Sequence, residues 1–199
     1  MAKKSPEITK ELLTNSALNI LSSTSYRAAR LEDIAREVGL TRGAIYWHFA
    51  NKLDLYRHIL LESFNVSMKD LYAVLDSDRD VLEKLEFVVD YLLGDKNEIH
   101  SKSALIYNSL LMERPEGLES IIADVEAWFE TLFKKHGAIL QQGMDTGIFK
   151  QELNPDFLAR THYNFLWGYF TNRERFFTSY PSDAIKDFVK SNFIESLRI

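Results

Sequence analysis

Three side chains suited to binding another molecule lie within six residues of one another: Arg42, Tyr46 and Trp47. If this stretch is a helix, Ile45 and Phe49 are four residues apart and share the face that turns toward a core. The guanidinium, the phenol and the indole then point away from that core. Because a fold gains little by exposing a tyrosine and a tryptophan together, the pattern predicts a surface that meets a partner.

The short motifs that carry catalytic or metal chemistry are missing from the chain. Its five histidines show no close ligand spacing such as H-E-x-x-H, and there is no G-x-x-x-x-G-K-[ST] loop and no nucleophile elbow. A chain without cysteine has no thiolate metal site, no cysteine nucleophile and no disulfide. We therefore predict a protein that is not an enzyme and that needs no metal and no cofactor.

The residues on the N-terminal side of Arg42 predict the elements that hold the exposed face. Apolar residues at the spacing i, i+3, i+4 and i+7 predict a short helix: Leu31, Ile34, Ala35 and Val38. Gly39 suits the positive-φ turn that ends such a helix, and Thr41 suits the N-cap of the next one. Two helices joined by a glycine turn, the second with a polar and aromatic face, predict a helix-turn-helix whose second helix enters a DNA major groove.

Residues 31–60, LEDIAREVGLTRGAIYWHFANKLDLYRHIL, resemble the DNA-binding signature of TetR-family regulators, most of all the branch that represses multidrug efflux pumps. The family pattern I-A-x-x-x-G-[LV]-[ST]-x-G-[ATN]-[IL]-Y-x-H-F-x-x-K-x-x-L is matched at nearly every position. Many relatives carry Gly-aromatic-x-x-Thr-Thr before the first helix of the motif, whereas residues 25–30 here read SYRAAR. The threonine that caps this helix and contacts a phosphate is therefore missing, and we expect Arg30 to make the phosphate contact instead.

The resemblance also implies which side chains would contact DNA. Arg42 would read a base edge and Ala44 a thymine methyl group, while Gly43 and Trp47 would share the same face, with the indole on the backbone or a base edge. The phosphate contacts would come from Thr41, Tyr46, His48 and Lys52. Two subunits related by a two-fold axis would set these helices in successive major grooves of a pseudo-palindromic operator, ~34 Å apart.

Composition and charge limit the class of protein. Of the 199 residues, 46% are hydrophobic and 27% charged, as in an ordinary globular chain, and no apolar run approaches the ~20 residues that cross a bilayer. No apolar segment follows the first lysines as in a secretory signal, so we expect a cytoplasmic protein. Residues 1–58 hold nine basic and six acidic residues, net +3, and the remainder is net −8. A basic DNA-binding end on an acidic body fits this asymmetry, and so does chance, since the excess is small.

The rest of the chain predicts an all-α fold of about nine helices. Helix starts are marked by Ser5 before Pro6, by Asn51 with Asp54 three residues later, and by Asn154 before a proline. We expect a three-helix DNA-binding domain over residues 1–52 and a helical ligand-binding and dimerisation domain over 53–199. One long helix, 52–75, would join them. No alternating strand pattern is present.

Aromatic and other apolar residues on the later helices predict a cavity for an apolar or aromatic small molecule, at positions where the resemblance to TetR regulators implies a pocket. The candidate wall residues are Phe64, Met68, Tyr72, Tyr91, Tyr107, Trp128 and Phe165. A filled core is the alternative interpretation of the same residues.

The segment 155–179, predicted to be one continuous helix, is apolar on most of its circumference, so it must be covered on both sides. Gly168 in its middle suits the close approach of a second helix, and the resemblance implies that this segment and the last helix pair with their copies in a homodimer. The residues assigned to that interface are Trp167, Gly168, Phe188 and Val189.

Two functions from different classes remain open at this point. The first is a ligand-responsive transcriptional regulator, a repressor that binds its operator as a homodimer and is released by a small molecule. The second is a helical small-molecule or lipid-binding protein without a role on DNA. The second explains the aromatic body equally well but leaves Arg42, Tyr46 and Trp47 on the surface without a purpose.

Overall fold

The computed structural model describes residues 6–37, 39–94 and 98–199, and it describes the side chains of these residues except 6–13, 170 and 174. Ser5 and Val38, on which two of the predictions above partly depend, lie outside the described residues.

The described residues form an all-α protein, which confirms the predicted fold class of about nine helices. The α-helices are α1 (Pro6–Ser22), α2 (Leu31–Glu37), α3 (Arg42–His48), α4 (Lys52–Leu75), α5 (Val81–Leu92), α6 (Glu98–Glu113), α7 (Leu118–Asp145), α8 (Pro155–Asn172) and α9 (Ser182–Phe193). A π-helical turn at Arg173–Phe177 and a 3-10 turn at Glu195–Leu197 follow α8 and α9. None of the helices in the described ranges is both long enough and apolar enough to cross a membrane.

Two predicted helix starts are built as the sequence suggests. Asn51 Oδ1 accepts the backbone N–H of Asp54 at 2.9 Å, and the Asp54 carboxylate accepts the N–H of Ala50 at 3.0 Å, so both side chains satisfy backbone donors at the start of α4. Asn154 Oδ1 accepts the N–H of Phe157 at 2.9 Å, with proline at the first helical position of α8. The N-termini of α4 and α8 are therefore both fixed by local side chains.

The predicted continuous helix over 155–179 is wrong at its C-terminal end, because α8 stops at Asn172 and a π-helical turn follows. The Thr171 hydroxyl donates to the carbonyl oxygen of Trp167 at 2.9 Å, and the Asn172 amide donates to that of Gly168 at the same distance. Side chains that bond to backbone carbonyls in this way compete with the regular helical ladder. The backbone changes from α-helical to π-helical geometry directly after these two residues.

Backbone contacts divide the chain into two compact units. One contains the residues up to Asn65 together with Ile99–Val125, and the other contains Val66–Glu98 together with Glu126–Ile199. The helices α4 and α7 each contribute residues to both units. This structural division differs from the functional boundary at residues 52/53 that we predict from the sequence, because α6 and the start of α7 belong to the unit that holds α2 and α3.

The second unit buries two neighbouring histidines from α7 and α8. His162 Nδ1 lies 3.5 Å from His136 Nε2, and the His162 ring stacks on Phe193 with centroids 4.5 Å apart. The side chains around them, including Leu85 and Leu166, are apolar. Burial lowers the pKa of His162 to about 4 and that of His136 to about 3, the latter also because a charged neighbour would repel it.

These two imidazoles make stability depend on pH in a defined direction. The folded protein keeps them neutral, whereas the unfolded chain takes up protons below a pKa of about 6.5. Their contribution is therefore complete above pH ~6.5 and is lost as the pH falls toward 4, by up to ~1.4 kcal/mol per pH unit for each histidine. Urea unfolding between pH 7.5 and 5 should show a shallower pH dependence for His162→Phe than for the wild type. Equal slopes in the two proteins would contradict the assignment.

Candidate nucleic-acid interface

The turn between α2 and α3 has the geometry that the sequence predicts. Gly39 has a φ of 70°, its N–H donates to Arg36 O at 3.0 Å, and the N–H of Leu40 donates to Ala35 O at 2.8 Å. Thr41 Oγ1 then accepts the N–H of Ala44 at 3.3 Å and caps α3. The N–H groups of Gly39, Leu40 and Ala44 are thus satisfied by neighbouring residues of the chain.

The two faces of α3 separate as the spacing of its residues requires. Ile45 and Phe49 are buried, whereas the side chain of Arg42 is 70% exposed, Tyr46 is 43% exposed and Trp47 is 74% exposed. An exposed tryptophan next to an exposed tyrosine and arginine is unusual for a surface that only faces water. The exposed face of α3, defined here by Arg42, Tyr46 and Trp47, is therefore the strongest candidate for a binding surface.

Several predicted DNA contacts lie on or beside this exposed face. Thr41 and Gly43 are exposed and Ala44 is half-buried. His48 is half-buried, and its ring meets that of Trp47 edge-on with centroids 4.7 Å apart. The indole is thus supported by an imidazole on its own helix, which limits the orientations it can take.

Arg30 and Lys52 have different surroundings. Arg30 is exposed, and its carbonyl oxygen accepts the N–H groups of Asp33 and Ile34 at the start of α2. Lys52 is half-buried, with its ammonium 4.4 Å from the centroid of the Tyr26 ring. Burial lowers the pKa of Lys52, while the nearby Glu113 carboxylate acts in the opposite direction. Lys52 therefore already has partners within the protein, unlike a lysine extended into solvent.

Glu113 at the end of α6 is a structural residue that the sequence analysis missed. Its carboxylate accepts the backbone N–H groups of Tyr26 at 2.6 Å and Arg27 at 2.8 Å, and the Ser109 hydroxyl at 2.9 Å. Burial would raise the pKa of Glu113, but these hydrogen bonds outweigh it and lower the pKa. The loop before α2 is held by α6 in this way. No local pattern could reveal a contact between residues 86 positions apart.

The seven predicted pocket residues fall in both compact units. Phe64 and Tyr107 belong to the unit that contains α2 and α3, and both are buried there. The remaining five belong to the other unit: Met68, Tyr72, Tyr91, Trp128 and Phe165. Among these, Phe165 packs against α9, with its ring 5.1 Å from that of Phe193. The residues predicted to line a pocket thus come from both units.

Tyr72 and Trp128 do come together, with ring centroids 6.4 Å apart, at one end of an aromatic cluster that continues along α7 and α8. The other members of this cluster are Phe129, Phe133, Tyr163 and Trp167. The Tyr72 hydroxyl is buried and has no hydrogen-bond partner among the described residues. Burial raises the pKa of Tyr72 to about 12, helped by the Asp76 carboxylate, so the hydroxyl keeps its proton.

The residues assigned to a dimer interface differ in accessibility. Gly168 is exposed, a Cβ atom placed on it would meet no other atom within 4 Å, and Phe188 is 54% exposed. Trp167 is half-buried, with its ring edge-on to that of Phe129 at 5.5 Å. Val189 is 0% exposed within the subunit, so its side chain is not available to a partner and its assignment to the interface is corrected here.

Two short helices joined by a tight glycine turn, the second exposing an arginine and two aromatic rings, constitute a helix-turn-helix unit. Residues 13–59, which include this unit, match the family of bacterial regulatory proteins named after TetR. This part of the chain therefore carries the DNA-binding domain of TetR-family regulators.

Individual relatives agree with this assignment over part of their length. AcrR of Shigella flexneri, an HTH-type transcriptional regulator, is 32% identical over 92 residues, which are 46% of this chain and 43% of that protein. The probable acrEF/envCD operon repressor of Escherichia coli K12 is 32% identical over 89 residues, 42% of this chain and 40% of that protein. Each match thus covers less than half of the relative.

A solved structure extends the likeness to the whole fold. The TetR-family regulator from Agrobacterium tumefaciens superimposes with a TM-score of 0.80 over 98% of this chain and 100% of that one. The sequences are only 18% identical, so this comparison concerns the fold alone.

Proposed function

We propose that the protein is a DNA-binding transcriptional repressor of the efflux-repressor branch of the TetR family. It binds a pseudo-palindromic operator as a homodimer. It releases the operator when a small molecule binds in the domain formed by residues 53–199. The observation that carries this proposal is the exposed face of α3, with Arg42, Tyr46 and Trp47 in solvent. The alternative, a helical small-molecule or lipid-binding protein without a role on DNA, does not explain why these side chains are exposed. The proposal assigns the chain to the cytoplasm and gives it no catalytic role.

The roles proposed for individual side chains follow from their chemistry. The Arg42 guanidinium is long and exposed enough to reach the guanine edge, and the Ala44 methyl group suits contact with a thymine methyl. Gly43 lets the backbone of α3 approach the DNA, and Trp47 packs against a sugar or base edge. Phosphate contacts are assigned to Arg30, Thr41, Tyr46, His48 and Lys52.

A footprint on DNA upstream of the protein's own gene tests this function. Two protected half-sites related by a two-fold axis should appear, with centres about one helical turn or 34–36 Å apart. A homodimer with one α3 in each of two successive major grooves requires this spacing. A single protected half-site, or uniform protection without a centre of symmetry, would contradict the proposed assembly.

Lys52 provides a prediction that separates a phosphate contact from a structural role. If its ammonium leaves the Tyr26 ring for a phosphate, Lys52→Ala weakens binding to all duplexes alike and reduces the slope of log affinity against log salt by about one. Measurement of that slope with operator and unrelated duplexes checks this. An unchanged slope accompanied by a lower melting temperature would assign Lys52 to the fold alone.

The aromatic cluster supports the ligand part of the proposal. Its rings offer apolar surface, and the buried Tyr72 hydroxyl offers one hydrogen bond that no described residue uses. A site of this kind suits an apolar or aromatic molecule with one polar atom. Met68 lies one turn before Tyr72 on α4 and is completely buried. The helix α4 contributes these residues to one unit and Lys52 to the other, so we propose it as a route of coupling.

Linkage gives this proposal a quantitative test with anilinonaphthalene sulfonate as an apolar aromatic probe. If the probe and the operator favour different states, the operator must weaken probe binding by the same factor by which the probe weakens operator binding, typically about 5- to 150-fold. Fluorescence titrations with operator, with an unrelated duplex of equal length and without DNA measure this factor. Equal probe affinities in all three titrations would mean that the bound probe does not control the DNA-binding end.

A further inference from the structure

Arg42 forms an ion pair with a carboxylate from the preceding helix. Glu32, the second residue of α2, places Oε1 3.0 Å from Arg42 Nε, while the guanidinium carbon lies 5.4 Å from the centre of the Tyr46 ring. The arginine is thus bounded by a carboxylate on one side and an aromatic ring one turn further along α3. Both side chains of the ion pair reach solvent, with 70% exposure for Arg42 and 36% for Glu32.

The atoms used in this contact leave the base-reading atoms of Arg42 available. A guanidinium carries one N–H on Nε and four on the two terminal nitrogens. Glu32 contacts the Nε side, so the terminal nitrogens remain for two acceptors on one base. Guanine presents such a pair, O6 and N7, in the major groove, and arginine commonly binds both at once.

We infer that Glu32 is a positioning residue that determines specificity, an inference that rests on the proposed reading of a base by Arg42. Its carboxylate fixes the plane of the Arg42 guanidinium so that the terminal nitrogens face a guanine. Glu32 also adds a negative charge beside the DNA, which lowers affinity for every sequence. Loss of Glu32 therefore has two separable consequences: stronger binding to any duplex and weaker discrimination at the base pair that Arg42 reads.

The neighbouring residue supplies a matched control. Asp33 is also in the first turn of α2 and pairs with Arg36, at 3.2 Å between Oδ1 and Nη1, without contacting Arg42. Replacement of either acid by alanine removes one negative charge from the same turn and the same favourable interaction with the helix dipole. Only Glu32→Ala removes the support of Arg42. A difference between the two variants therefore reports positioning and not charge or helix stability.

The experiment uses the footprinted operator and a set of duplexes that each carry one base-pair substitution. We call the loss of affinity caused by one base-pair substitution the substitution penalty. The base pair that Arg42 reads is the one whose penalty is present in the wild type and absent in Arg42→Ala. At that pair, Glu32→Ala should reduce the penalty about two- to fivefold, the range of an exposed ion pair, whereas Asp33→Ala leaves it unchanged. Both acid variants should bind an unrelated duplex more tightly than the wild type, by similar factors.

The possible results distinguish the inference from the function on which it depends. If Arg42→Ala removes no penalty at any pair, the proposed base-reading role of Arg42 is wrong. If Arg42→Ala removes a penalty that Glu32→Ala leaves whole, the positioning role of Glu32 alone is wrong. A stronger preference in Glu32→Ala would also overturn it, since Glu32 would then compete with DNA for Arg42.

Discussion

Arg42→Ala is expected to weaken operator binding by about 1–3 kcal/mol and to remove the preference at one base pair in each half-site. Arginine that contacts a guanine with both terminal nitrogens provides that amount of discrimination. The fold should change little, because the side chain is exposed and its ion pair with Glu32 lies at the surface, where such pairs contribute ~0.2–1 kcal/mol. Fluorescence anisotropy with operator duplexes that carry single substitutions measures both effects.

Arg36→Ala is the matched control for this variant. Arg36 is an exposed arginine on α2 that pairs with Asp33, so its loss removes the same charge from the same unit. It should lower affinity for operator and unrelated duplexes by similar factors and keep the base preference. If the two variants changed the preference equally, α3 would not be the element that reads the sequence.

Gly168→Leu is expected to dissociate the proposed homodimer. Gly168 is exposed, and a side chain added there meets open space within its own subunit. Leucine is also a better helix former than glycine by nearly 1 kcal/mol, so the subunit should not lose stability. Between two α8 helices in contact, the added isobutyl group would be overpacked, at a cost of about 1–3 kcal/mol or more. Sedimentation at micromolar concentration measures the result.

Ala127→Leu controls for the added apolar surface, since Ala127 is an exposed position on α7, outside the proposed interface. This variant should remain a dimer, and the melting temperature of each variant separates loss of assembly from loss of folding. A monomeric wild-type protein, or a Gly168→Leu dimer of unchanged affinity, would be inconsistent with an interface on α8.

The sequence predicted the helix-turn-helix because its determinants are local. Each of its features depends on residues within one or two turns: the positive φ of Gly39, the cap by Thr41, the buried Ile45 and the caps by Asn51 and Asp54. Spacing of side chains along a helix also separates its buried and exposed faces. The exposed face of α3 was predictable for the same reason.

Contacts between distant segments were not predictable in this way. Glu113 binds the loop at Tyr26 and Arg27 across more than 80 residues, and no pattern in either segment indicates it. The ion pair of Glu32 with Arg42 depends on how α2 packs on α3, which spacing within one helix does not describe. Side chains in contact across elements are set by tertiary packing and not by local preference.

The helices after α3 show a further limit of predictions made from helical spacing. Apolar residues such as Met68 and Val189 carry the same signal whether they fill a core, line a pocket or face another subunit. Val189 was assigned to the interface from its place in the stripe of α9, yet it is completely buried within its own subunit. Phe188, one residue earlier, is exposed. A rotation of 100° about the helix axis decides between the two environments.

The central claim is that the exposed face of α3 reads a DNA sequence, and the affinity for two duplexes at two salt concentrations tests it most directly. The duplexes are the protein's own upstream DNA and an unrelated sequence of equal length, at about 50 and 200 mM salt. Binding to the unrelated duplex should collapse at the higher salt, while the upstream duplex keeps a preference of at least ~1,000-fold. Equal affinities for both duplexes at both salt concentrations would contradict the claim and favour a helical protein that binds small molecules without a role on DNA.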